Sequence, residues 1–326
     1  MILILSINAD HSTDEIMDWI NGLGGKCLRL NDSDVIDKHS LFIDFNKRNI
    51  VATVDFYGKK VRLGDVKVVW YRKFGFYNHT RYNNVLKDKR ASIDLNQYIS
   101  TEYQTFLSFI QQLLIGKKWL FKPGNKLSKT HQLITAKRVG LKIPPTIITN
   151  DKKSLTRFKN KKRKIISKPM KDVSFFRLND KAYIPYTELI DDNAFESLNH
   201  RFFPSLIQGY IDKQLEIRTF FLNNKLYSMA IFSQNQENTK TDFRYYNHTK
   251  PERCVPYQLP LSMERKLALL MKNLKLNTGS IDLIKDKQGK YIFLEVNPAG
   301  QFGMISQPCN YPIEKEIAKY LINESQ

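Results

Sequence analysis

The chain has 326 residues, 42% of them hydrophobic and 12% aromatic, so it holds enough apolar material for sizeable cores and is not a disordered chain. That length exceeds what one hydrophobic core usually supports, and two or three subdomains are expected. Its net charge is +20, and the segment from Lys117 to Arg177 carries 19 Lys or Arg against two acids, a local +17 that would draw a polyanion.

Cys27, Cys254 and Cys309 are odd in number and far apart, and no CxxC pair occurs. This excludes a disulfide framework and a structural zinc site, and fits a reducing cytoplasm. The apolar start, Ile2 to Ile7, has no basic residue before it and no cleavage site, so it reads as a buried strand instead of a signal peptide. No apolar run reaches the roughly 18 residues of a membrane span.

In chain order, the strand from Ile2 precedes a helix from Ser12 to Leu23, with Ser12 or Thr13 as its cap and glycines 22, 24 and 25 ending it. A strand from Lys26 to Leu30 follows. A meander then runs over 41–46, 49–56 and 60–63, and a further apolar strand over 66–71. Phe106, Phe109, Ile110, Leu113 and Leu114 recur at helical spacing and predict a helix over 99–114. This is an open α/β domain. Beyond Trp119, Ser128 caps a helix ending near Gly140, and Pro144-Pro145 breaks the chain before a strand at 146–149. A short helix at 154–159, an exposed basic turn at Lys161–Lys164 and a strand at 164–168 complete this unit. Strands at 205–211, 216–222 and 226–233 follow, the last two joined by an Asn223-Asn224 hairpin. A helix over 262–273, strands at 279–284 and 291–296, and a closing helix over 312–322 end the chain.

The residues with chemistry concentrate late. Asp282 and Glu295 interrupt apolar strands, an expensive placement unless a cation or hydrogen bonds compensate. Alternation along Glu295-Val-Asn297 turns both polar side chains to one face. Two carboxylates and an amide oxygen are hard ligands suited to Mg²⁺ beside phosphates. Lys168 ends the apolar strand Ile165-Ile-Ser and is followed by Pro169, which can aim its ammonium at a phosphate. Lys129 sits in the first turn of its helix, where the dipole disfavours a cation. Arg218 lies on an alternating strand and can grip phosphate oxygens in two places, while Arg244, in a polar loop, can neutralise a transferring phosphoryl group. The six histidines show no paired spacing, and no Walker A, GxGxxG or GxSxG segment occurs.

This order of lysine, strand lysine, hinge strand, arginine, then Asp and Glu-x-Asn resembles the ATP-grasp superfamily over the last two hundred residues or so. The first part resembles the domain that precedes it there. Trp70-Tyr-Arg72-Lys73, Leu141-Lys-Ile-Pro-Pro-Thr146 and Glu295-Val-Asn-Pro-Ala-Gly-Gln-Phe-Gly303 are similar to the graspetide synthetases, which close side-chain rings in ribosomal peptides. Pro308-Cys-Asn-Tyr311 resembles the "grasp-with-spasm" branch. The implied fold is α/β: two α+β subdomains gripping ATP, at 117–204 and 205–326, after an α/β pre-ATP-grasp domain at 1–116. The resemblance implies that Lys129 and Lys168 bind ATP phosphates. Gln208, Tyr210 and Ile211 would line the adenine hinge, and Glu216 would reach the ribose. Arg218 and Arg244 would face the reacting phosphoryl, and Asp282, Glu295 and Asn297 would hold Mg²⁺. Gly209 departs from relatives that carry an acid there. Arg72 and Lys73, at a strand end in a domain without catalytic candidates, are expected to bind peptide. The implied partner is a precursor peptide with a leader and an acidic core; a homodimer is compatible. Two other readings compete: an ATP-grasp ligase that adds free amino acids to a protein or peptide, and a nucleic-acid-binding protein. The second rests on charge alone and leaves Asp282, Glu295 and Asn297 unexplained.

Overall fold

The computed structural model describes residues 1–46, 50–56, 58–75, 89–123, 127–170, 176–178, 181–183, 187–233 and 252–326. In chain order its elements are β1 (Ile2–Ser6), α1 (His11–Gly22), β2 (Cys27–Asn31), α2 (Asp34–Asp37), β3 (Ser40–Asp44), β4 (Val51–Phe56), β5 (Lys59–Arg62), β6 (Val68–Tyr71), α3 (Lys89–Leu113) and β7 (Lys118–Leu120). Then come α4 (Lys129–Arg138), β8 (Thr146–Asp151), α5 (Lys152–Lys162), β9 (Ile165–Lys168), β10 (Phe176–Leu178), β11 (Lys181–Tyr183), β12 (Glu188–Leu189), α6 (Asp192–Glu196) and β13 (Arg201–Gly209). The last are β14 (Lys213–Leu222), β15 (Lys225–Ile231), β16 (Cys254–Pro256), α7 (Leu261–Asn273), β17 (Thr278–Asp286), β18 (Tyr291–Asn297), α8 (Gly303–Cys309) and α9 (Ile313–Ser325). The chain divides into two compact units, Met1–Asn125 with Pro312–Gln326, and Lys126–Tyr311.

In the first unit a parallel sheet has the order β2-β1-β6-β7. Every residue of β1 is buried, as a strand covered on both faces requires, which explains its unbroken apolar run. The antiparallel sheet β3-β4-β5 is the expected meander. It lays Ala52, Val54 and Phe56 into one core with Leu3, Leu5 and Val69 of the parallel sheet and Leu107 and Ile110 of α3. Each of the larger side chains removed from water, Ala52 excepted, contributes roughly 1.5–3 kcal/mol. Helix α3 starts ten residues before the expected Ile99, because its first turns lack apolar periodicity and hold good helix formers such as Lys89, Arg90 and Ala91. The N-cap position of helix α1 is Asp10, not Ser12 or Thr13; its side chain makes no capping hydrogen bond, and Thr13 is fully buried. The closing helix α9 packs on α1, so residues 312–326 stand with the first unit, whereas the sequence grouped them with 205–311.

The second unit holds two larger sheets. One has the order β12-β9-β13-β8, the other β16-β15-β14-β17-β18. In the first, Ile165 and Ile207 point to one face and pack with Leu155 of α5 and Phe195 of α6. Helix α5 runs to Lys162, so Lys161 and Lys162 form its last turn and the expected basic turn shrinks to Arg163 and Lys164. In the second sheet, Asn223 and Asn224 both take positive φ and make the expected β14-β15 hairpin. No helix among the described residues is long and apolar enough to cross a membrane.

Candidate active site

The five-stranded sheet builds a row of charges. Arg218 on β14 stands directly opposite Asp282 on β17, and Asp282 opposite Glu295 on β18. Directly paired residues share a face, as do residues two apart, so Glu216, Ser280 and Asn297 join Arg218, Asp282 and Glu295 on it. The other face carries Ile217, Ile281, Leu283 and Val296, all nearly inaccessible.

An irregularity makes this possible. Leu283 pairs with Phe293, but Asp282 pairs with Glu295, so β18 has one extra residue, Leu294. A bulge of this kind re-aims the side chains beyond it. With an unbroken ladder, Glu295 would fall on the same face as Phe293, which is 1% exposed in the core. The bulge turns Glu295 and Asn297 to the polar face.

Two cations meet these carboxylates. Lys129 Nζ lies 3.2 Å from Glu295 Oε2, and Arg218 Nε lies 3.6 Å from Asp282 Oδ1. Lys129 occupies the first turn of α4, where Ser128 caps the helix by accepting from the His131 amide, as the sequence indicated. Gln132, one turn further along, is fully buried and bonds the backbone of Val296 in both directions. Sequence reasoning passed over it, because an amide in a polar helix carries no signal of burial.

Among the described residues no group of three His, Cys, Asp or Glu gathers. A cation here would rest on two carboxylates and the exposed Asn297 amide, an all-oxygen set. That set suits Mg²⁺, which keeps several waters or phosphate oxygens among its ligands. The segment after Asn297 is fixed by close packing. The Gly300 amide donates to the Asn297 carbonyl at 3.1 Å, and a Cβ on Gly300 would lie 2.5 Å from Ser280 Oγ and 2.6 Å from its Cβ. Any side chain at Gly300 would push the loop off the strand that carries Asp282. Phe302 then seats its ring 5.5 Å from that of Phe220.

The four-stranded sheet supplies the rest. Lys168 pairs with Leu206, and Leu206 with Ile148, on the face opposite the α5 core; Gln208, Ile166 and Thr146 share that face. Lys168 thus ends β9 among apolar neighbours, as anticipated. Gln208 is buried and its amide donates to Thr146 Oγ1. The Gly209 amide donates to the Pro145 carbonyl and the Tyr210 amide to the Lys164 carbonyl. Ile211 follows, half-buried, in the link to β14. Glu216 is buried, with Oε1 held by Lys213 at 2.5 Å and Ser233 at 2.7 Å. Arg244 lies outside the described residues.

Arg72 and Lys73 belong to the first unit. Arg72 is 2% exposed, and its Nε lies 3.2 Å from Asp10 Oδ2. Lys73 Nζ is 3.2 Å from Asp10 Oδ1. Asp10 also accepts from Thr13, whose hydroxyl is 3.0 Å from that of Ser6. Burial by itself would raise the Asp10 pKa, but Arg72, Lys73 and the Thr13 hydrogen bond together hold it below the ordinary carboxylate value.

Parts of the basic segment are structural. Lys152 donates to the Glu196 and Leu198 carbonyls, and Lys159 pairs with Asp192 at 2.5 Å while lying over the Phe195 ring. None of the cysteines is activated: burial pushes the Cys27 and Cys309 thiols up to about 11.

Residues 125–321 match the RimK-like ATP-grasp domain family. Among solved structures, the chain is similar to a RiPP-associated ATP-grasp ligase from Chryseobacterium gregarium in complex with ADP and a leader and core peptide. The identity is 26%, the match covers 99% of this chain and 96% of that one, and the TM-score is 0.86. It also shares the fold of the macrocyclase MdnC from Microcystis aeruginosa, bound with precursor peptide MdnA, at 24% identity over 99% of both chains with a TM-score of 0.83. The macrocyclase MdnB of the same organism matches at 25% identity over 98% of both chains, with a TM-score of 0.75. No curated protein sequence matches the chain. With more than half of its length covered by the family's pattern, the chain belongs to the RimK-like ATP-grasp family.

Proposed function

We propose that this protein is an ATP-dependent ligase that closes ester or amide crosslinks between side chains of a ribosomal precursor peptide, in a cytoplasmic setting. The observation that carries the reading is the row Arg218–Asp282–Glu295 with Lys129 against its end, on one face of one sheet. Full-length likeness to a ligase that binds a leader and core peptide supports the substrate class.

Asp282, Glu295 and Asn297 would hold Mg²⁺, which would screen the charge of the ATP phosphates. Lys168 and Lys129 supply point charges to the same phosphates. The Gly209 and Tyr210 amides are engaged inside the protein, so the Ile211 amide is the hinge donor for adenine. The Gln208 side chain serves by bracing Thr146, and Glu216 stands two residues from Arg218 on the same face as a ribose partner. Arg218 and Arg244 stabilise the phosphoryl group in transfer. In the first step a Glu or Asp carboxylate oxygen of the peptide attacks the γ-phosphorus and ADP leaves, giving an acyl phosphate. In the second, a Thr or Ser hydroxyl or a Lys amine attacks the acyl carbon, loses its proton, and phosphate leaves. Positioning and fixed charge supply most of the rate in such transfers.

Arg72, buried against Asp10, contributes to peptide binding by shaping the strand end, while Lys73, a quarter exposed, is the direct contact. Mass spectrometry of a candidate precursor after incubation with protein, ATP and Mg²⁺ tests the function. The expected product has lost one water per crosslink. A gain of one amino-acid residue would point to the amino-acid ligase instead, and an unchanged peptide with no ADP formed would contradict both.

A further inference from the structure

We infer that Gln132 is a positioning residue that locks the register of the metal-binding strand; this rests on the assignment of Asp282, Glu295 and Asn297 to Mg²⁺. Strand β18 is the edge of its sheet, with β17 on one side only. Its outward backbone groups must find partners elsewhere. Before the bulge, the Phe293 amide donates to the Lys142 carbonyl at 2.8 Å. After it, Gln132 does what a missing strand would do. Its Nε2 donates to the Val296 carbonyl at 2.9 Å, and its Oε1 accepts from the Val296 amide at 2.7 Å.

Val296 lies between Glu295 and Asn297, so both proposed ligands hang from the clamped residue. Pairing with β17 and the packing of Gly300 on Ser280 hold the strand on one side, and Gln132 holds it on the other, next to the bulge. Slippage by one residue would bring Val296 to the polar face and send Glu295 and Asn297 into the core. Gln132 is fully buried, so no water competes for the two bonds. Lys129 lies three residues earlier on the same helix, on the same side, and the clamp therefore also sets the 3.2 Å approach of Lys129 to Glu295. One amide thus fixes two ligands and one phosphate lysine relative to each other. It touches none of the reacting groups.

The test is calorimetric titration of the full chain with ADP over a series of Mg²⁺ concentrations, together with thermal melting of the ligand-free protein. Gln132→Met fills similar volume but can form neither bond. It is expected to melt as a single folded species at a lowered Tm. The Mg²⁺ concentration for half-maximal ADP binding should rise about tenfold, while ADP affinity without Mg²⁺, which Lys129 also serves, should fall by a smaller factor. Leu133→Ala, on the same helix and buried, serves as a stability control. It should lower Tm at least as far and keep the wild-type Mg²⁺ dependence. Gln132→Asn keeps the amide but cannot span both bonds; it should move in the same direction and replaces the Met variant should that one not fold. Wild-type Mg²⁺ dependence in the Gln132 variants, or an equal shift in Leu133→Ala, would overturn the inference and leave the metal assignment standing. ADP binding that ignores Mg²⁺ in the wild type would overturn both.

Discussion

The two units each bury a cluster of carboxylates and cations, and they treat it differently. In the first unit Asp10 is 5% exposed and receives Arg72, Lys73 and the Thr13 hydroxyl. Two cations and a hydrogen bond answer a single carboxylate, and the Thr13 hydroxyl is in turn hydrogen-bonded to that of Ser6. In the second unit Lys129–Glu295 and Arg218–Asp282 are held at 3.2 and 3.6 Å, with Glu295 23% exposed, on a sheet face that also presents the exposed Asn297 amide. A buried carboxylate with both oxygens engaged is architecture. The second row keeps Lys129 and Arg218 buried but leaves the Glu295 carboxylate partly exposed beside Asn297, where a cation could reach it.

That contrast gives substitutions opposite signatures. In the second row, Glu295→Gln or Asn297→Ala is expected to fold normally and to lose ATP turnover by about a hundredfold or more, measured as ADP release. In the buried network, Asp10→Asn is expected to cost about 3 kcal/mol in denaturant unfolding, since it leaves the Arg72 charge buried without its carboxylate. ADP affinity should stay within about twofold. If Asp10→Asn instead abolished nucleotide binding at unchanged stability, the distinction between the two clusters would collapse. Lys168→Ala is smaller, with ATP affinity falling about tenfold, whereas neutralising Lys161 to Lys164 should change mainly the salt dependence of peptide binding. Equal effects of both on ATP affinity would mean that the basic segment acts as a diffuse field.

The subtlest signature is in pH. The folded Asp10 carboxyl titrates below its unfolded value. Its contribution to stability is therefore complete above the ordinary carboxylate pKa of about 3.9, and is lost as pH falls through the lower folded value. Below about pH 4 the wild-type stability curve should fall more steeply than that of Asp10→Asn. Parallel curves would show that the ion pair contributes nothing to acid sensitivity.

Much of this was legible in the sequence, and the failures have physical causes. Asp282, Glu295 and Asn297 stood out because polar residues in apolar strands need a partner, and Ser128 marked α4 because capping is local. The bulge at Leu294 was invisible: it depends on which residue β17 pairs, not on any turn former in β18. Gln132 was invisible for a related reason, since its partner is 164 residues away. Arg72 looked like a residue at an open strand end, yet it is buried, because Asp10, at the start of the helix that follows the neighbouring parallel strand, turns in to meet it. Closing helix α9 was read correctly as a helix, but its packing on α1 was not legible, because its apolar stripe states that it packs and not upon what. Local rules reach as far as capping, periodicity and turn chemistry; pairing across the sheet lies beyond them.

The most direct test of the central claim is the heat of ADP binding to the wild type and to Glu295→Gln, each with and without Mg²⁺. If the row on β14, β17 and β18 is a metal site, Mg²⁺ will strengthen ADP binding to the wild type at least tenfold and will do almost nothing for the variant. An equal gain from Mg²⁺ in both proteins would contradict it.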